Sequence, residues 1–198
     1  MTVNKNANTI LPLLDLKNAA AIASALYGMS NPEGLDGFLQ YIMALHYPQG
    51  EYSPESIHFA CVLLANKYML GNKKRKSEVV RICPEAAGYI SDIPISFMVD
   101  ENMDESAAHV IRCMNLYTAI LVYFDNWNED QACRKTADIV DALGSTGSDG
   151  CLQINISQEA IADEIGNAIH QEISSIIANK KAAYSEIVSY FPEAEKYI

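Results

Sequence analysis

Residues 104–127 read DESAAHVIRCMNLYTAILVYFDNW. Asp104 can cap a helix N-terminus with its carboxylate, and Glu105 follows it at the positive end of the helix dipole. Behind them come Val110, Ile111, Met114, Tyr117, Ile120, Leu121, Val122 and Phe124. These side chains are spread round the whole helix rather than along one stripe, which predicts a helix to Trp127 at the centre of a bundle. The uncharged apolar stretch within it, 113–124, has 12 residues and includes Asn115 and Thr118. It is too short to span a bilayer by itself, so it is expected in a protein core.

The chain reads as helical in both directions from this stretch. Upstream, Ser53-Pro54-Glu55 offers a capping hydroxyl, a fixed φ and a first-turn carboxylate. It opens a second apolar helix to Leu70, with Gly71-Asn72 as the left-handed stop. A shorter helix, 73–82, is halted by Cys83-Pro84. Residues 84–103 read as irregular, with a β-leaning run Ile93–Val99. Nearer the N-terminus, Asp15–Met29 is an Ala-rich helix closing at Gly28, and Pro32 opens another to about Tyr47. Downstream, a helix spans Glu129 to Leu143. The loop Gly144–Gly150 follows, and then Leu152, Ile154 and Ile156 alternate as in a short strand.

Ser157 caps a final helix whose apolar stripe runs from Ile161 to Phe191, with Lys180 interrupting the seam and Pro192 as the stop. A helix of about 33 residues would be about 50 Å long. It must therefore break near Asn179 or project beyond the body. The expected fold is an all-α, multi-helix bundle with two apolar central helices, 54–70 and 104–127, and a long C-terminal helix. At most a short strand or hairpin is expected near 93–99 or 150–156. The expected organisation is a helical core, 1–143, a Gly/Ser-rich loop, 144–156, and the helix 157–198 as part of the same domain or as an oligomerisation element.

The 198 residues are 49% hydrophobic and 20% charged, which suits a globular chain with a sizeable core and excludes global disorder. The N-terminus lacks a basic region followed by an apolar run, so no signal peptide is expected. The five cysteines, odd in number and widely spread, argue for a reducing compartment over a disulfide scaffold. A soluble, cytoplasmic protein is the expectation.

Charge is laid out unevenly. Residues 1–80 carry a net of +1 and residues 81–198 a net of −12, against −11 overall. Binding to nucleic acid through the acidic part is disfavoured, because neutralising phosphates is what drives such binding. Lys73, Lys74, Arg75 and Lys76 follow one another directly after a helix stop. Cations there favour the negative end of the helix, and these four are the candidates for contact with a partner or an anion.

Few motifs carry chemistry. Asp100–Ser106 places oxygen ligands like the start of a calcium loop, but Glu105 stands where the turn needs Gly and Ile111 where a bidentate Glu is required. His58 and Cys61 share one helix face, and His109 and Cys113 share another. These four ligand types make a weak zinc candidate. Asp138 and Asp141 are weak candidates for holding Mg²⁺ in an enzyme acting on a phosphorylated small molecule, if Glu101 and Asp104 face them. Gly144-x-x-Gly147-x-x-Gly150 lacks the Lys-Ser/Thr of a phosphate loop and follows a helix.

The window from Phe38 to Lys76, with Ser53-Pro54-Glu55 and Leu64-Ala-Asn-Lys-Tyr-Met-Leu70, is loosely similar to the C-terminal half of a BTB-type interaction domain. That family has strands before this window, whereas the first 37 residues here read as Ala-rich helix, so the family is not assigned. The reading that best fits the sequence is a non-catalytic protein–protein interaction, regulatory or assembly module that self-associates or binds a protein partner. No cofactor is called for. An enzyme using Asp138 and Asp141 is the first alternative. A nucleic-acid-associated protein using residues 73–76 is the second.

Overall fold

The computed structural model describes residues 21–28, 54–97, 104–143, 159–179 and 182–198, and among them the chain is all-α, with no strand. Seven helices are described: α1 (21–27), α2 (Pro54–Gly71), α3 (Lys76–Ile82), α4 (Glu105–Phe124), α5 (Glu129–Leu143), α6 (Glu159–Ala178) and α7 (Tyr184–Tyr190). Short 3₁₀ turns follow α3 at Pro84–Gly88 and α7 at Pro192–Lys196. The expected helix 32–47, the loop 144–150 and the strand near 150–156 lie outside the described residues.

The fold divides into two compact units. The first comprises Met1–Met69 and Lys76–Ile90, the second Leu70–Arg75 and Ser91–Ile198. In the first, α2 supplies Ala60, Cys61, Leu64, Ala65 and Met69 to a core shared with Ile22, Ala23 and Leu26 of α1, Val79 of α3, and Cys83, Ala86 and Ile90. Alanine and cysteine make up half of these side chains. The Tyr27 hydroxyl donates to the Leu64 carbonyl at 2.8 Å. Gly28 ends α1 in the left-handed region, at φ 64°, where a side chain would be strained. Cys83, extended before Pro84, ends α3 as the sequence predicts.

The stop after α2 differs in detail from the expectation. The left-handed residue is Lys73, at φ 50°, rather than Gly71 or Asn72. Its amide donates to the Leu70 carbonyl. A non-glycine residue held there is strained by roughly 1–2 kcal/mol, so the contacts of its side chain matter.

The second unit is built round α4. Asp104 caps it, its carboxylate accepting from the Ala107 amide at 2.8 Å. From Ala107 to Tyr123 nearly every side chain is buried. By length and composition α4 could cross a membrane, but 78% of its most apolar window is buried inside the protein, against α5, α6 and the C-terminal segment. The helix ends at Phe124, three residues short of the predicted Trp127. The amides of Asp125 and Trp127 both donate to the Leu121 carbonyl, and Asn126 turns left-handed at φ 60°.

Helix α6 lays Ala162, Ile165, Ile169, Ile173 and Ile176 into the core of α4. Burying each isoleucine contributes roughly 1.5–3 kcal/mol. Of the two outcomes open for the C-terminal helix, the break near Asn179 is the one found, and the segment is two helices. Helix α6 stops at Ala178, and α7 begins at Tyr184 with the Glu186 carboxylate accepting from the Ala183 amide. The break lets Ile187 and Phe191 turn back into the same core, where a straight rod would carry them past it. Phe191 then packs edge-to-face against Tyr123, with ring centroids 5.0 Å apart.

The β-leaning run after Ile93 forms no strand over its described part, 93–97. Its backbone is paired instead by a buried side chain of α4. Asn115 Oδ1 accepts from the amides of Ser96 and Phe97 at 2.8 and 2.7 Å, and its Nδ2 donates to the Phe97 carbonyl at 2.9 Å. One amide side chain thus satisfies three backbone groups that a neighbouring strand would otherwise take.

Candidate functional site

Ligand-type side chains converge at one place among the described residues. His109 and Cys113 lie one turn apart on α4, and His170 comes from α6. Cys113 Sγ is 3.6 Å from His109 Nε2 and 3.7 Å from His170 Nε2. The imidazole rings meet edge-to-face with centroids 6.5 Å apart, and the Tyr197 ring lies 5.4 Å from that of His109. Cys113 is fully buried, and burial pushes its thiol up to about 11. A neutral thiol has one proton and donates to at most one of the two rings. Both histidines are half-buried, so one side of the group is open.

Of the four ligand candidates read from the sequence, His109 and Cys113 are two of these three. Cys61 lies in the core of the first unit. His58 is on α2, and its side chain lies outside the described part. The sequence reading missed His170, which is 57 residues from Cys113. Its trace in the sequence is its place directly after Ile169, on the edge of the α6 stripe, but only the packing of α6 on α4 makes it a neighbour.

The basic cluster is partly committed within the chain. Lys73 Nζ donates to Asn126 Oδ1 at 2.9 Å, joining the two left-handed residues named above. The Arg75 guanidinium sits 4.1 Å above the Tyr190 ring, a cation–π contact. The Lys74 carbonyl accepts from the Tyr123 hydroxyl at 2.8 Å. These three contacts go to an amide, a ring and a phenol. Lys76 opens α3.

Asp138 and Asp141 are exposed on α5. Asp138 lines an open cleft of about 490 Å³ with Asp125, Asn126, Trp127, Gln131, Arg134 and Lys135. Asp104 is the cap of α4. Glu101 and most of the 100–106 loop lie outside the described residues, so the pairing of 101/104 with 138/141 does too. Next to the cleft, the Tyr117 hydroxyl donates to Glu172 Oε2 at 2.9 Å, and Lys135 stands 4.0 Å from the same oxygen. Burial, then the bond to Glu172, raises Tyr117 above the ordinary phenol range.

Compared with known protein families, with curated proteins and with solved structures, the chain matches none.

Proposed function

We propose that this chain is a non-catalytic interaction or regulatory module that docks a basic protein partner through the acidic surface of its second unit. The observation that carries this reading is the charge of that unit. By sequence it holds nine basic and eighteen acidic residues, a net of −9 of the chain's −11. Asp130, Asp138 and Asp141 are exposed on α5, and Asp163 and Glu164 on α6. Meanwhile Lys73 and Arg75, on the same unit, are turned to Asn126 and Tyr190. These exposed carboxylates offer a surface to an incoming cationic partner and would speed its approach.

The test is affinity capture across a salt series, followed by titration of the purified partner. Binding is expected to weaken steeply with salt and to be lost when Asp138, Asp141 and Asp163 are changed together to Lys. A partner held equally well by that variant, or a strict monomer with no partner at low salt, would overturn the reading. The cleft at Asp138 favours a second reading, a metal-dependent enzyme. There a carboxylate stands with Arg134 and Lys135, groups suited to a divalent ion and a phosphate. On that reading Mg²⁺ raises the melting temperature, and Asp138→Ala removes the rise.

A further inference from the structure

We propose that His109, Cys113 and His170 bind one borderline transition-metal ion of the zinc type, with the fourth position open to water or a small ligand. The distances carry the inference. Zinc lies about 2.3 Å from a thiolate and about 2.0–2.1 Å from an imidazole nitrogen, so a tetrahedral ion sets sulfur and nitrogen about 3.6 Å apart. The two sulfur–nitrogen separations here are 3.6 and 3.7 Å. One ligand atom from each of the three residues lies within 4.8 Å of the others. An ion at their centre needs the two imidazoles to close on each other and leaves the sulfur edges where they are.

The donor set points the same way. One thiolate with two imidazoles selects zinc-like ions over calcium or magnesium, which take oxygen. Two donors ride on α4 and the third on α6, two helices packed along a shared core, so the site is held by regular elements. Three protein ligands with one side open is the arrangement of sites that exchange their fourth ligand, whereas purely structural sites are closed by four. Binding breaks the Cys113 S–H bond and forms a metal–sulfur bond, and the proton leaves to solvent. The Tyr197 ring against His109 places the C-terminal segment beside the ion. Metal occupancy would therefore tie α4, α6 and that segment together.

The test uses the full chain freed of metal by a chelator and titrated with Zn²⁺ and Co²⁺. One equivalent should bind, and Co²⁺ should give a thiolate charge-transfer band with the ligand-field bands of a tetrahedral ion. Cys113→Ser should abolish the charge-transfer band, and His170→Gln should weaken affinity at least about 100-fold, since even outer partners of ligands cost 10–100-fold. Should Cys113→Ser fail to fold by circular dichroism, His170→Gln at its half-buried position decides. His58→Ala should leave binding unchanged. Absence of binding, binding unaltered in Cys113→Ser and His170→Gln, or loss of binding in His58→Ala would each overturn the proposal.

Discussion

Helices α2 and α4 look like equals in the sequence, two long apolar segments at the heart of one bundle. In the structure each centres its own core, and the cores differ in make-up: that of α2 is rich in alanine and cysteine, whereas α4 carries buried polar groups that reach other segments. In α2, one bond of Asn66 runs along the helix, from its Nδ2 to the Val62 carbonyl. In α4, Asn115 holds residues 96–97, Tyr117 reaches Glu172 on α6, and Thr118 meets Thr136 of α5 at 2.8 Å. A polar group that bonds along its own helix adds local stability. One that bonds outward fixes which segment may pack there, because any other arrangement leaves it unpaired in an apolar core.

The sharpest way to break this comparison is to remove the outward bonds of Asn115. Asn115→Leu strands the amides of Ser96 and Phe97 and the Phe97 carbonyl and should cost about 3 kcal/mol in urea unfolding. A loss under about 1 kcal/mol would show that these outward bonds fix nothing.

A smaller loss is expected of Tyr117→Phe, which removes the bond to Glu172 and should cost about 1–2 kcal/mol at neutral pH. The same residue adds a pH signature. Its folded phenol holds its proton more tightly than the unfolded one, so its contribution is complete below the ordinary tyrosine pKa of about 10 and is lost as the pH rises above it. Stability should therefore fall on the alkaline side, and Tyr117→Phe should flatten the upper part of that fall in a pH series of melting curves.

The smallest effect sharpens the picture of α6. A Cβ added at Gly166 would lie 3.8 Å from Val110 Cγ2, an ordinary contact. Gly166→Ala should then stabilise by about 0.5–1 kcal/mol through helix propensity alone, read as a rise in melting temperature.

Much of this architecture is legible in local chemistry. Asp104 as a cap and the stops at Cys83-Pro84 and Pro192 act through neighbours a few residues away, so the sequence displays them. The end of α4 was misplaced because Asn126 takes the left-handed turn that a reader expects of glycine. The left-handed Lys73 is illegible for the same reason, and its contact with Asn126 spans 53 residues. The candidate site divides likewise. The i, i+4 pair of His109 and Cys113 is visible on one helix, whereas His170 joins them only once α6 packs on α4. The run after Ile93 was read as β-leaning from its residue types, and no local rule reveals that an amide on a helix serves its backbone.

That amide has a consequence outside the folded chain. Ile95-Ser-Phe97 and the apolar residues after it have the composition of a strand able to pair edge-to-edge with a second chain. Pairing of that kind needs the very donors that Asn115 occupies. A chain carrying Leu at 115 should therefore be the more prone to aggregate during refolding as well as the less stable. If refolding yields show that excess of aggregate, Asn115 acts as a gatekeeper placed on another element, beside a segment that carries no charge of its own.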